Sequence, residues 1–347
     1  MRTVRRAAAA PMACALMVAA LMVVGGCSTT PLDVGGGAPA VSVVPTGPRT
    51  ATVPENPVAV TADPSPQLPT TVPSADGPNV TVTDVSRIVA LDRFGTYGTT
   101  VFALGLGGNL VGRDIATKFP AAEHIPVLTP DGTNANLEAL LALRPTVVLA
   151  DASIPSVATL AVRLRAARIP VVLGDPARTI DNTAAQLRAT AAALGVRAAG
   201  ERLVAQTEAQ IARAKAMVPH LKPKPKVAFL YARGTGLMIL GGPGSGASEL
   251  IEFLGAQDAG TAAGLTDAYT SLTAEGLIKA APDVLLMMTD GLASVGGIDG
   301  LLRVPGVAQT PAGRTRSVID MSDGQLLSFG PRTGTVALAL ATALYRG

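Results

Sequence analysis

Tyr231 and Arg233 are the residues whose types and spacing best suit ligand chemistry. They lie in Tyr231-Ala232-Arg233-Gly234, at the end of an apolar run that predicts a β-strand. Alternate residues of a strand face the same side, so the two side chains are expected to lie together. A guanidinium favours the phenolate form of a neighbouring phenol, and a phenolate is a hard oxygen donor that suits ferric haem iron. The alternative is a strand-end tyrosine bonded to backbone beside an ordinary surface arginine.

A glycine-rich segment at residues 241–248 is similar to a phosphate-binding P-loop. The template requires a lysine before its final Ser or Thr, and Ala247 stands at that position. Without the ammonium group the outer phosphates of a nucleotide have no charge partner. We therefore predict a loop that turns a strand into a helix starting near Ser248, and keep a degenerate nucleotide hydrolase as an alternative.

The charge and cysteine content exclude several classes of function. The chain has 28 Lys and Arg against 25 Asp and Glu, and the three arginines of residues 1–26 account for the excess. The remainder is neutral, which disfavours nucleic-acid binding. The two cysteines are Cys14 and Cys27, and the two histidines are His124 and His220. Past Cys27 the chain therefore has no disulfide and no zinc site of the usual kind.

The N-terminus predicts export and lipid attachment. Three arginines precede an apolar run over residues 7–24, which ends in Gly25-Gly26-Cys27. This order is typical of a signal peptide, residues 1–26, and the small residues before the cysteine resemble a bacterial lipobox. Cys27 is then the lipidated first residue of the mature protein. The alternative is an uncleaved transmembrane anchor, for which the apolar run is borderline in length.

Residues 27–84 are rich in Pro, Gly, Thr, Val and Ala and show neither helical nor strand periodicity. Such segments tend to be extended, so we predict a tether that holds a folded domain away from the membrane. An ordered extension packed on the domain is the alternative.

From about residue 85 the sequence alternates apolar strands with helices, which indicates an α/β protein with parallel sheets. We predict an N-terminal α/β lobe (85–178), connecting helices (179–222) and a C-terminal α/β lobe (223–347). The fold class is thus two Rossmann-like lobes joined by a long interdomain helix, and ligands of such pairs bind between the lobes. The predicted strands are 87–91, 109–112, 146–150, 170–173, 226–231, 282–288 and 318–320; the predicted helices are 97–104, 137–143, 157–167, 181–194 with Asp181 as N-cap, 197–218, 248–255, 273–280 and 334–345.

From residue 87 onward the chain resembles the substrate-binding proteins of hemin ABC transporters. The segments that carry the resemblance are 229–235, 240–246, 288–292, 296–301 and 327–333. The resemblance implies a class III substrate-binding protein: two lobes bridged by a helix, with little motion on binding. It also implies that Tyr231 ligates haem iron and that Arg233 is its partner.

One position departs from the family pattern. The family often supplies a second axial ligand, His or Tyr, from the opposite lobe, and Thr133 stands there in this sequence. A threonine hydroxyl is not a competent ligand, so either the iron is five-coordinate or another group substitutes. Tyr97 is the best substitute, whereas His124 is expected in a solvated turn and His220 far from the site.

Four further residues have expected roles. Met238 is expected to flank the porphyrin, and Arg332 to pair with a propionate, since arginine suits carboxylates. The resemblance further implies that Glu138 and Glu252, one on each lobe, dock to arginines of the permease. A helix-terminal carboxylate favoured by the helix dipole is the alternative for both glutamates.

These observations predict a monomeric, membrane-anchored receptor, not an enzyme. Its expected ligand is haem, carried as transported cargo rather than as a catalytic cofactor. It would hold haem on the extracytoplasmic face and deliver it to an ABC permease with a cytoplasmic ATPase. The alternative ligands are an iron-siderophore or a corrinoid, and a purely adhesive or structural lipoprotein is the remaining hypothesis.

Overall fold

The computed structural model describes Val44 and residues 46–346, and these lie in one compact unit. The predicted signal peptide 1–26, Cys27 and the start of the predicted tether lie outside the described residues. The first described elements are β1 (Arg49–Thr50), β2 (Thr70–Pro73) and β3 (Asn79–Val82).

The N-terminal lobe is built on a parallel sheet of five strands. Its order is β6-β5-β4-β7-β8, and every residue of β4 and β7 is buried. Helices cover both faces, as the continuous apolar strands require. The lobe comprises β4 (Ile88–Leu91), α1 (Thr96–Ala103), β5 (Leu110–Asp114), β6 (Val127–Thr129), α2 (Leu137–Ala142), β7 (Val147–Asp151), α3 (Val157–Ala166) and β8 (Val171–Gly174).

Two helices connect the lobes, α4 (Thr183–Ala193) and α5 (Arg197–Met217). The longer one, α5, packs on α4 on the N-terminal side and on the last helix of the chain in the other lobe. The expected N-cap of α4 at Asp181 is wrong: the N-cap is Asn182, whose backbone is already helical and whose side chain makes no capping bond.

The C-terminal lobe carries a sheet of order β1-β14-β13-β9-β10-β12, with β11 beside the first residues of β9. Its central strands are parallel, whereas β10 and β12 are antiparallel. The lobe comprises β9 (Lys226–Arg233), β10 (Leu237–Gly241), α6 (Ala247–Phe253), β11 (Gln257–Asp258), α7 (Ala259–Ala262), β12 (Tyr269–Ser271), α8 (Ala274–Ala280), β13 (Val284–Met288), α9 (Thr289–Ser294), α10 (Gly297–Leu301), α11 (Pro311–Thr315), β14 (Val318–Met321), α12 (Asp323–Leu326) and α13 (Thr333–Tyr345).

The predicted tether 27–84 is wrong for its described part, because residues 49–82 pack on both lobes. Strand β1 extends the C-terminal sheet beside β14, while β2 and β3 form a hairpin on the N-terminal lobe. Val72, Val80 and Val82 of the hairpin are buried in that lobe's core. They alternate with exposed residues, which is the period of a half-buried strand. Because the segment is rich in Pro and Thr, this short alternation was not recognised as a pair of strands in the sequence.

Candidate functional site

Tyr231 and Arg233 lie on one face at the carboxyl end of β9, as the strand period predicts. The Tyr231 side chain is half-buried, and the Arg233 guanidinium carbon lies 4.5 Å from the centre of its ring. Within residues 46–346 no group hydrogen-bonds the Tyr231 hydroxyl. The arginine therefore stacks on the ring face, as cation–π pairs do, and leaves the phenol oxygen free.

Arg233 is fixed by two further contacts. One terminal nitrogen, Nη1, donates to the carbonyl of Ala232 at 2.8 Å, and the other, Nη2, forms an ion pair with Asp323 at the start of α12. The second oxygen of Asp323 accepts a hydrogen bond from the backbone N–H of Asp290 at 2.9 Å. Sequence reasoning missed Asp323, which lies 90 residues from Arg233 in the chain.

Arg233, Asp290 and Asp323, here called the Arg233 cluster, adjoin the N-terminal lobe. Lys118, in the loop after β5, forms a 2.7 Å ion pair with the carboxylate of Asp290. Nearby, the Thr96 hydroxyl at the start of α1 donates to the carbonyl of Ser328 at 2.7 Å. The carboxyl ends of the parallel strands of both lobes thus meet around the Arg233 cluster, where α/β folds bind ligands.

Three buried charged residues form ion pairs at the carboxyl ends of the strands of the N-terminal sheet. Arg178, after β8, pairs with Asp92 at 3.1 Å and with Asp151 at 2.6 Å, and all three side chains are almost fully buried. Burial alone lowers the pKa of the Arg178 guanidinium, but the two carboxylates outweigh it and raise that pKa above its ordinary value. Asp92 also accepts bonds from the N–H groups of Phe94, Thr96 and Tyr97, which fixes the start of α1.

Asp114 lies beside this group and is also fully buried. Burial, followed by the neighbouring Asp92 carboxylate, raises its pKa above the ordinary aspartate value. These four charged residues were not predicted. Each follows or ends an apolar strand, and that position is the signal that could have found them.

Tyr97 does not lie open to the site as a substitute ligand, so that prediction is corrected. Its side chain is only 6% exposed, and its ring belongs to the core of the N-terminal lobe. Burial, with the Asp151 carboxylate second, raises its pKa well above that of a free tyrosine, so the phenolate needed for an iron bond is disfavoured. Its hydroxyl lies against Gly174, where an added Cβ would come within 2.1 Å.

Met238 and Arg332 also depart from their predicted roles. In the β9–β10 pairing Met238 is opposite Ala232, so it lies on the other face of the sheet from Tyr231. Ile239 is opposite Tyr231 instead. Arg332 is buried: its guanidinium donates to the carbonyls of Pro54 and Glu55, and burial lowers its pKa to about 10. It is engaged by the N-terminal segment and is not free to bind a propionate.

Thr133 lies in a loop that the Asp131 carboxylate holds together. Asp131 accepts bonds from the N–H groups of Thr133 and Asn134, both at 2.8 Å. The Asn134 side chain, followed by these backbone groups, lowers the pKa of Asp131. The Thr133 hydroxyl accepts a bond from the Asn134 amide at 3.1 Å.

Glu138 and Glu252 are both exposed, one on each lobe. Glu138 lies in the first turn of α2, where the helix dipole favours a carboxylate. Glu252 is the last residue but one of α6, where the dipole gives no such benefit. His124 and His220 are exposed too, and among the described residues neither forms a hydrogen bond or an ion pair with Tyr231 or Arg233.

The glycine-rich segment connects β10 to α6, as predicted, with the helix beginning at Ala247. Its Gly244 and Gly246 have φ of 77° and 73°, a conformation that favours glycine. The Tyr269 hydroxyl donates to the carbonyl of Ser245 at 2.8 Å and closes the turn.

Comparison with known proteins decides the family. Residues 88–323 match the family described as periplasmic binding protein. The chain belongs to this family. It is 39% identical to the heme binding protein HmuT, with a TM-score of 0.82 over 87% of this chain and 98% of that one. Variants of HmuT with a tyrosine or an arginine replaced by alanine match at 38% identity, with a TM-score of 0.82 over 88% of this chain and 94% of theirs.

Two other family members show the same architecture. The periplasmic heme-binding protein RhuT from Roseiflexus sp. RS-1 is 37% identical, with a TM-score of 0.69 over 76% of this chain and 98% of that one. BhuT in complex with two hemes is 33% identical, with a TM-score of 0.67 over 75% and 97%. None of the curated proteins is significantly similar in sequence. These similarities confirm the predicted class III fold and the resemblance to hemin-binding transport proteins.

Two features are absent from residues 46–346. No helix among them is both long and apolar enough to span a bilayer. Nor does that part of the chain bring three or more His, Cys, Asp or Glu side chains together as a metal site.

Proposed function

We propose that this protein is an extracytoplasmic receptor that binds haem between its lobes and delivers it to an ABC permease. The observation that carries the proposal is the Tyr231 hydroxyl, which has no protein partner in the described chain while Arg233 stacks on its ring. A phenol oxygen beside a guanidinium suits ferric iron. The heme-binding proteins of similar fold, and the tyrosine and arginine variants among them, support the same ligand.

In this proposal Tyr231 is the iron ligand and Arg233, stacked on its ring, is its partner. Haem is cargo, so the protein holds and releases it without chemical change. With Thr133 opposite and Tyr97 buried, we propose five-coordinate iron. Ile239 takes the role first expected of Met238, because it shares the face of Tyr231.

Titration with hemin tests this function. Wild-type protein should give a shifted Soret band at one equivalent, and Tyr231→Phe, which removes only the oxygen atom, should abolish the iron–phenolate spectrum. Tyr269→Phe serves as the control, because the Tyr269 hydroxyl is already bonded to Ser245. Unchanged spectra with wild-type protein would refute the haem proposal, and binding of a ferric siderophore or corrinoid would then replace it.

We propose further that Cys27 carries lipid and that the protein acts as a membrane-anchored monomer. The order of a basic start, an apolar run and Gly25-Gly26-Cys27 supports this anchoring. Cys27→Ser should abolish labelling by a radioactive fatty acid and release the protein from membranes. Retention of the label would contradict the assignment.

Docking to the permease is assigned to Glu138 and Glu252. Their exposure on separate lobes supports this role, and Glu252 gains nothing from its own helix dipole. Charged contacts of this kind govern orientation and association rate. Replacing both by lysine should slow haem delivery to permease vesicles about tenfold or more, since each like-charge contact costs affinity. Hemin affinity should be unchanged, and Glu275→Lys on the exposed start of α8 is the control. Normal delivery by the double variant would exclude docking through these residues.

A further inference from the structure

We propose that the N-terminal lobe holds a small-molecule site of its own, a cavity between α4 and the β2–β3 hairpin. The cavity is suited to an uncharged molecule with an apolar body and one hydroxyl group. The described residues that line it all lie between positions 72 and 197, so the C-terminal lobe contributes none of them. The site is thus separate from the one assigned to haem and does not depend on that assignment.

The shape and lining of the cavity indicate an apolar ligand. Its volume is about 510 Å³, which is within the range of small-molecule sites in proteins. The hairpin and strand β8 form one wall, and α4 forms the other. Asp175, Arg188 and Arg197 also line the cavity, and because they are exposed they mark its open side. The apolar lining residues are Val72, Leu149, Val172, Leu173, Ala185, Ala189, Ala192 and Ala193.

The Tyr97 hydroxyl is the polar group available to such a ligand. Tyr97 lines the cavity, and its hydroxyl has no hydrogen-bond partner among the described residues. Only 6% of the residue is exposed, and that part includes the hydroxyl. Gly174 leaves room for it, since an added Cβ would come within 2.1 Å of the oxygen. The hydroxyl is therefore free to donate to the oxygen of a molecule in the cavity.

Gln186, which lines the same cavity, lacks a donor. Its side-chain nitrogen donates to the carbonyls of Asp175 at 2.8 Å and Ala177 at 2.7 Å. Both partners are acceptors, which fixes the orientation of the amide and directs Oε1 away from them. Within the described chain Oε1 is buried without a partner. An unpaired buried acceptor is costly, so a ligand hydroxyl that donates to it is favoured.

The charges around Tyr97 favour an alcohol over an acid. Burial, followed by the carboxylates of Asp151 and Asp92, raises the pKa of Tyr97, and the Arg178 guanidinium offsets only part of this effect. The surroundings that disfavour a phenolate at this point also disfavour a ligand carboxylate there. A neutral hydroxyl meets no such repulsion, and it both accepts and donates. The ligand class is therefore an uncharged alcohol or phenol.

Titration of the haem-free full chain with cyclohexanol, followed by amide NMR, tests the inference. We expect saturable shifts at the hairpin and α4, for example at the amides of Ala75 and Ala189. Tyr97→Phe removes only the unpartnered oxygen and should weaken binding about fivefold, the effect of losing one hydrogen bond. Cyclohexanecarboxylate, which is similar in shape but charged, should bind about tenfold more weakly than cyclohexanol or worse.

Blocking the cavity gives a second test. Ala189→Leu, at an exposed position of α4 that lines the cavity, should abolish the shifts. Ala205→Leu, at an exposed position of α5 outside the cavity, is the matched control. The inference is overturned by the absence of saturable shifts in the wild-type protein, by unchanged affinity in Tyr97→Phe or Ala189→Leu, or by equal binding of the carboxylate. None of these results depends on whether the protein binds hemin.

Discussion

At the scale of single residues, the spacing of Tyr231 and Arg233 places both on one face of β9, but their contacts come from elsewhere. The phenol oxygen is free, while the guanidinium is shared between the ring, a carbonyl and Asp323. This arrangement differs from a simple pair in which the arginine bonds the phenol oxygen.

A residue-scale prediction concerns the second axial position at Thr133. With hemin, the wild-type protein should show a high-spin, five-coordinate electron paramagnetic resonance signal, because Thr133, which the family resemblance puts at the second axial position, is not a competent donor. Thr133→His should convert it to a low-spin, six-coordinate signal, since imidazole is a strong axial ligand. The loop itself is held by Asp131 through backbone N–H groups, so the side chain can change without loss of the turn.

Thr133→Ala is the control for this change and should leave the high-spin signal as it is. A low-spin signal in the wild-type protein would contradict five-coordination and would require a ligand other than Thr133. A high-spin signal in Thr133→His would instead show that position 133 does not face the iron.

At the scale of elements, the segment before the lobes is the main departure from expectation. Its hairpin β2–β3 is fastened to the edge of the N-terminal lobe by Arg165, which pairs with Asp76 and also donates to the carbonyl of Val171 at 2.7 Å. The N–H of Ala75 donates to the carbonyl of Leu173 in β8 at 2.7 Å. The hairpin therefore covers the edge strand of the sheet, which would otherwise present unpaired groups.

The Asp76 pair predicts how the docking of this hairpin depends on pH. The hydrogen bond from Arg165 lowers the folded-state pKa of Asp76 to about 2. A lowered folded pKa means that the stabilisation is present above the unfolded value of about 4 and is lost as pH falls from about 4 to about 2. Hydrogen exchange of the β2–β3 amides should therefore accelerate over this range.

Asp76→Asn should remove that pH dependence and weaken the docking at neutral pH by less than about 1 kcal/mol, because a partly exposed pair is screened by water. Asp63→Asn, an exposed position of the same segment, is the control and should leave the exchange profile unchanged. Retention of the acid-dependent acceleration in Asp76→Asn would assign it to another carboxylate.

At the scale of the whole molecule, the segment 46–84 contacts both lobes and accompanies α5 as a second connection between them. It starts on the C-terminal sheet at β1, passes the Arg332 guanidinium at Pro54 and Glu55, and ends on the N-terminal lobe. Only the 22 positions from Cys27 to Arg49 then separate the proposed lipid from the first strand, a fully extended reach of roughly 75 Å. In the proposed lipid-anchored protein, the folded body would therefore have a shorter maximum reach from the membrane than a 58-residue tether would give it.

Truncation tests the importance of this segment. A chain that starts at residue 85 loses the buried Val72, Val80 and Val82, each worth about 1.5–3 kcal/mol. It also leaves the Arg332 guanidinium without its two carbonyl partners. We expect its Tm to fall by about 10 °C or more, or the chain to fail to fold. A chain that starts at residue 44 keeps all these contacts and is the control, and equal Tm values would show that the segment contributes no stability.

Local structure and the pairing of Tyr231 with Arg233 could be predicted from the sequence. Apolar runs and helical spacing located most strands and helices of the two lobes, and the period of a strand placed Tyr231 beside Arg233. These features depend on near neighbours, so they can be read from short segments. Five other features depend on the tertiary structure: the burial of Tyr97, the face of Met238, the carbonyl partners of Arg332, the packing of residues 49–82 and the pairing of Arg233 with Asp323. Each of these depends on groups that are distant in the chain, and no local pattern specifies which distant group fills the space.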